Sequence, residues 1–156
     1  MMRRTTILIA GLGLLAACGG SGSEGMSEEA RSEAARAYMN EVMQVRSEVI
    51  WNSAGWIITA EGEQDLAPTT DEGWAAVAAG AVALKEAGEE LKTIAFARDA
   101  ESWVAFSEGV IVAGERARLG AEAHNADEMF ESGAQLYRVC VACHQFYRVG
   151  EFAPEE

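Results

Sequence analysis

Cys140-Val141-Ala142-Cys143-His144 is the stretch of this chain whose residue types and spacing specify a chemistry. Two thiols three residues apart share one face of a helix, where they can add to the two vinyl groups of a single porphyrin. The imidazole of the next residue then lies under the iron as an axial ligand. The C-x-x-C-H pattern therefore reads as the covalent attachment site of one haem c. A thioredoxin-like redox pair fits less well, because such a pair follows a strand at the start of a helix, and this one comes late in a helical pattern. A zinc site would need further ligands, and the only other histidine is His124. A disulfide across two intervening residues would strain a helix and staple little.

The elements that must position these residues are helical. Alanine is abundant, and β-branched and aromatic residues are modest in number. Four amphipathic segments are expected. The first runs over residues 27–60, capped by Ser27, with Tyr38, Val42, Val45, Val49 and Trp56 at helical spacing and Met39, Met43 and Ile50 alongside. A polar loop is expected over 61–68. The second segment opens with a capping-box pattern, Thr69-Thr70-Asp71-Glu72, and carries Trp74, Val77, Ala81, Leu84, Gly88, Leu91 and Ala95. The third is capped by Asp99 and carries Trp103, Phe106, Val110, Ala113, Ala117 and Gly120. The fourth starts near Asp127, taken as its cap, and runs to about Val149 through Met129, Gly133, Leu136, Cys140, Cys143 and Tyr147. Nothing alternates with period two, so no sheet is expected. The fold class is all-α, an antiparallel four-helix bundle enclosing haem c between facing helices. Small residues on the second and third stripes (Ala81, Gly88, Ala113, Ala117) either leave room for a cofactor or let the helices pack closely.

The first 17 residues form an address. Arg3 and Arg4 precede an apolar run from Ile7 to Leu15, and small residues close the segment. That is the layout of a secretory signal, too short to span a bilayer as a mature helix. Leu15-Ala16-Ala17-Cys18 resembles the bacterial lipoprotein signal, in which the cysteine is lipidated and becomes the first mature residue; an ordinary cleaved signal with a stray Cys18 is the alternative. Residues 18–26 then form a flexible Gly/Ser tether. The protein is thereby expected in the bacterial cell envelope, periplasm-facing and held to a membrane through its N-terminal lipid. Export agrees with the motif, since haem c is attached outside the cytoplasm.

The 156 residues, 49% hydrophobic and 24% charged, suit one globular domain. Twelve basic against 25 acidic residues give a net charge of −13, which excludes nucleic acid as a partner because the phosphate backbone would repel it. Acidic stretches at Glu61-Gly62-Glu63 and Glu89-Glu90 are solvated faces that a basic redox partner could use.

The surroundings of the motif sharpen this reading. Gly133-Ala134-Gln135-Leu136-Tyr137-Arg138-Val139 precedes Cys140, and Gln145-Phe146-Tyr147-Arg148 follows His144. A C-x-x-C-H near the C-terminus followed by x-x-Tyr-Arg resembles the cytochrome c′ family, the class II c-type cytochromes; class I members carry the motif near the N-terminus. The resemblance covers about residues 27–150 and leaves 151–156 as a tail. It implies a four-helix bundle, haem c and often a homodimer. It also implies that Cys140 and Cys143 are the thioether residues, that His144 is the proximal ligand, and that Arg148 lies near the haem edge.

The other side of the iron decides function. With the first helix ending near 60, level with the start of the fourth near 126, His144 comes level with about residue 42. Met39, Val42, Met43 and Arg46 are then near haem height. A thioether from Met39 or Met43 would complete a six-coordinate iron suited to one-electron transfer; the rival is that both methionines fill gaps in the core. Low-spin members of the resembled superfamily use such a methionine, whereas high-spin members leave the site open and bind NO or CO. Met39 is the first candidate. Arg46 on an apolar stripe needs a partner, and a haem propionate would serve; a snorkelling surface arginine is the alternative. No acid–base pair is evident at haem height, so an enzyme is not expected. Electron transfer with redox partner proteins is the leading expectation, and gas sensing or scavenging is the alternative.

Overall fold

The computed structural model describes residues 27–93 and 100–147. The signal segment, Cys18 and the tether, Ala95, Asp99, Arg148 and the tail lie outside the described residues. The described residues are mostly helical, with one small two-stranded sheet. Among the described residues no helix is long and apolar enough to cross a membrane.

The first helical arm is α1 (Glu28–Tyr38), a π turn (Met39–Met43) and α2 (Gln44–Trp51), continuous in direction because Tyr38, Met43 and Gln44 all keep right-handed helical angles. Ser27 caps it by accepting from the Ala30 N–H at 3.2 Å. The π turn closes with the Gln44 N–H on the Met39 carbonyl, one residue wider than an α turn. That extra residue shifts the phase of the buried face, which runs Tyr38, Met43, Ser47, Ile50. The regular stripe expected from sequence is corrected accordingly: Val42 and Val49 are half-buried and Val45 is exposed.

Two further expectations are corrected. The first helix stops at Trp51 rather than near 60, and residues 56–65 form a hairpin where a helix end and a polar loop were expected. Strand β1 (Trp56–Thr59) pairs antiparallel with β2 (Gly62–Asp65), Trp56 opposite Asp65 and Thr59 opposite Gly62. Gly55 leaves the helix at φ +89° and Gly62 takes φ +134°, both in a range that side chains resist. Between them Trp-Ile-Ile-Thr has the β-branched and aromatic character of a strand. Trp56 sits in this strand, exposed, and not on a helical core stripe.

Helices α3 (Asp71–Leu91), α4 (Ala100–Glu122) and α5 (Ala126–Tyr147) follow. Thr70 caps α3 by accepting from the Gly73 N–H at 3.1 Å. The cap of α5 is Asn125, whose side chain accepts from the Glu128 N–H, and not Asp127. The α3 stripe is buried from Trp74 through Leu91 as the sequence spacing predicts. The small residues bring helices together: a Cβ on Gly88 would meet Ile111 Cγ1 at 2.8 Å, and one on Gly114 would meet the Ala81 carbonyl at 3.3 Å. Buried Ser53, Ser107 and Ser132 each donate to the carbonyl four residues earlier, so their hydroxyls stay satisfied within their own helical turns.

Helix α3 packs on α4, α4 on α5, and α2 on both α3 and α5. Contacts between neighbours run in opposite sequence order. Val49 meets Gly80, and Arg46 Nη1 donates to the Ala83 carbonyl at 2.5 Å, while Tyr38 reaches Ala87. Glu128 lies against Gly120, and Val139 against Gly109.

Candidate functional site

Cys140, Cys143 and His144 occupy the last two turns of α5, all three half-buried. Cys140 packs against the edge of the hydrophobic core. Both thiols are free. Burial pushes the Cys140 thiol upward, and burial together with the nearby Cys140 charge pushes Cys143 up to about 11. Thiol–disulfide chemistry asks for the reverse, a thiolate stabilised near neutral pH. Among the described residues no three His, Cys, Asp or Glu side chains come together as a metal cage. The arrangement thus offers two protonated thiols and one adjacent imidazole along a helix end. That set suits a macrocycle that brings four of its own nitrogens to the metal.

Aromatic rings close one side of this helix end. Tyr147 lies edge-on to Trp103 at 5.1 Å between centroids, and the Phe106 ring is 5.8 Å from Phe146 and 6.0 Å from Tyr147. Trp103 is buried, and its indole N–H donates to the Leu91 carbonyl, joining α4 to the end of α3. On the side of α5 towards the first arm, the register is fixed lower down. Trp51 Nε1 donates to the Gly133 carbonyl at 3.1 Å, and a Cβ on Gly133 would come within 3.3 Å of Trp51 Cδ1. Going up α5 from Gly133 to His144 is eleven residues, about 16 Å. The same number of residues back along the arm from Trp51 reaches Asn40, inside the π turn. Met39 and Met43 therefore flank the height of His144. Met43 is buried, while Met39 is half-buried at the edge of the core.

The π turn rests on α3, whereas the arm packs on α5 through α2. A strut holds it there. The Tyr38 hydroxyl lies 2.9 Å from Glu90 Oε2 and 3.1 Å from the Ala87 carbonyl. Burial first, and then the Glu90 hydrogen bond, push its pKa well above the usual tyrosine range, so it stays a donor.

Counted from the Trp51–Gly133 contact, Met39 and Met43 fall near the height of His144, on an arm whose π turn packs on α3. Arg46 engages α3 through the Ala83 carbonyl, about six residues below that height. His124 is at the opposite end of α5, beyond α4, with φ 50°. Its ring stacks on Trp74 at 5.2 Å and 9°, and its Nδ1 is 3.9 Å from Asp71. Sequence reasoning missed the Tyr38–Glu90 strut, because a tyrosine on an apolar stripe reads as core. It also missed the π turn, which has no residue signature. No protein-family model matches the chain, and no curated protein or solved structure matches it either.

Proposed function

We propose that the chain is a lipid-anchored, periplasm-facing haem c protein similar to the cytochromes c′, that its helices form an antiparallel four-helix bundle round the cofactor, and that it transfers single electrons. The observation that carries the proposal is C-x-x-C-H on the last turns of α5, with the π turn that bears Met39 and Met43 near the same height by count from the Trp51–Gly133 contact. Bound haem would supply a one-electron ferric/ferrous couple. The chain's own residues do the rest. Cys140 and Cys143 would hold the macrocycle through thioethers, so a small domain cannot lose it. His144 would supply the proximal imidazole. Met39 would supply the opposing thioether ahead of Met43, because it is nearer the height of His144 and less committed to the core. Trp103, Phe106 and Tyr147 form an apolar wall that lowers the local dielectric on the α4 side, with Phe146 at its exposed edge.

Export of the full chain in a host that attaches haem c tests this. The expected product is red and shows a Soret band that survives acid–organic extraction, whereas the Cys140→Ala/Cys143→Ala double variant loses covalent colour. A weak far-red ferric band, removed by Met39→Ala, is expected for thioether ligation. A colourless wild type overturns the proposal. A high-spin ferrous spectrum that shifts with carbon monoxide overturns methionine ligation and leaves the gas-binding function in its place.

A further inference from the structure

A second feature lies lower on the same flank of α5. Phe130, Tyr137 and His144 are spaced by seven residues, so all three fall on one side of the helix. Between α2 and α5 that side forms an open apolar groove of about 350 Å³, with Trp51, Gly133 and Ala134 in it. Phe130 is 51% exposed and Tyr137 61%. Trp56 of the hairpin, 61% exposed, extends the surface, its ring centroid 6.4 Å from that of Phe130. Three half-exposed aromatics offer roughly 300 Å² of apolar surface, about the size of the largest apolar patch on an ordinary monomer, which is often functional.

The rim is acidic. Glu48 lies one turn before Trp51, Glu131 follows Phe130, Asp127 lies one turn earlier, and Asp65 stands opposite Trp56 in the hairpin. Ion pairing in the described residues draws both lysines, Arg116 and Arg118 to α3, α4 and the first turn of α5, where they meet Glu89, Glu108, Glu115, Glu122 and Glu128. Glu48, Asp65, Asp127 and Glu131 are all exposed.

We propose that this groove is the docking surface for a basic electron-transfer protein, one with an apolar centre ringed by lysines. The charge complements the acidic rim. The size fits as well: about 300 Å² is far short of the roughly 800 Å² per partner of a stable interface, and it matches the small contacts of transient redox encounters. The groove leads along α5 to the haem-attachment turns, with Tyr137 one turn from Cys140. The choice of partner class rests on the electron-transfer function proposed above.

Binding of the full-length, haem-loaded protein to a strongly basic class I cytochrome c, used as the probe, tests the proposal by surface plasmon resonance. Binding is expected to weaken about ten-fold or more between roughly 20 and 200 mM salt. The Phe130→Ser/Tyr137→Ser and Glu48→Lys/Glu131→Lys double variants are each expected to weaken it about ten-fold at low salt, with unchanged helicity by circular dichroism. Glu86→Lys, on exposed α3, should leave it within about two-fold. Three results overturn the surface: no binding at low salt; an equal loss with Glu86→Lys, which would mean attraction by net charge alone; or a wild-type dimer that Phe130→Ser/Tyr137→Ser dissociates in light scattering, which would mean that a second copy covers the groove. A colourless preparation strikes the haem proposal, whereas a coloured one whose variants all bind alike strikes only this surface.

Discussion

Tyr38 shows how one side chain ties packing to the candidate site. It is the last residue of α1, so its hydroxyl anchors the arm to α3 one residue before the π turn begins. A buried hydroxyl must keep its hydrogen bond, and the carboxylate of Glu90 accepts it more strongly than a neutral group would. Tyr38→Phe is expected to cost about 1 kcal/mol, read as a lower urea midpoint with an unchanged slope. On the methionine ligation proposed above, the same variant should weaken the far-red ferric band, because the π turn that carries Met39 loses its strut. An unchanged midpoint would mean that water replaces the hydroxyl without loss. At this scale the site was partly legible. Cys140, Cys143 and His144 announce themselves by chemistry and spacing alone. Met39 and Met43 could be reached only through a register argument, and Tyr38 carried no polar signal at all.

At the scale of elements, the register expected between the first arm and α5 rests on a premise that the structure corrects. The first helix was expected to reach residue 60, yet it ends at Trp51 and the chain turns away at Gly55 into the hairpin. Opposed helices keep step through their contacts, and the Trp51–Gly133 contact sets nearly the same alignment as the longer helix would have. The hairpin was hidden because Trp56, Ile57 and Ile58 extend an apolar pattern that also suits a helix. Gly55 and Gly62, flanking four residues of strand character, were the readable warning. The π turn had no such warning: a slip of one residue changes which apolar positions face inward without changing their identity. The α3 and α5 stripes were legible throughout because Gly and Ala line their contacts. Gly80 is the sharpest of these, since a Cβ there would lie 2.5 Å from Val49 Cγ1 and 3.2 Å from Val49 Cβ. Val49 is stiff at χ1 and cannot swing clear. Gly80→Ala gains about 1 kcal/mol of helix propensity and loses about 1–3 kcal/mol to overpacking, so the net effect is expected to be destabilising. Val49→Ala in the same chain should restore stability, and a double-mutant cycle by urea unfolding checks the coupling. Additive effects would place the clash elsewhere.

At the scale of the molecule, charge is distributed unevenly, and acid should reveal it. Of the −13 net charge, the groove side carries outward-facing acids, while the α3–α4 side carries networks. Glu115 sits at the centre of one network, bonded to Arg118 at 2.7 Å and to Lys85. The hydrogen bond from Arg118 first, and then that from Lys85, hold its carboxyl down at about 2, against an ordinary value of 4.5. A carboxyl depressed in the folded state contributes stability above its unfolded value, and that contribution is lost as pH falls through the folded value. Glu115→Gln should therefore lower the urea midpoint at pH 7, and the gap to wild type should close as pH falls from about 4.5 towards 2. Because the pair is open to solvent, the gap at pH 7 should also shrink in high salt. A gap that stays constant from pH 7 to pH 2.5 would mean that Glu115 acts through packing of its methylenes and not through charge. The groove acids should behave in the opposite way. Glu48→Gln and Glu131→Gln relieve repulsion on an acidic surface, so at pH 7 they should leave stability unchanged or raise it slightly. The contrast between the two faces under one titration would show that the α3–α4 charges stabilise the fold and the groove charges do not, as expected of acids that face a basic partner.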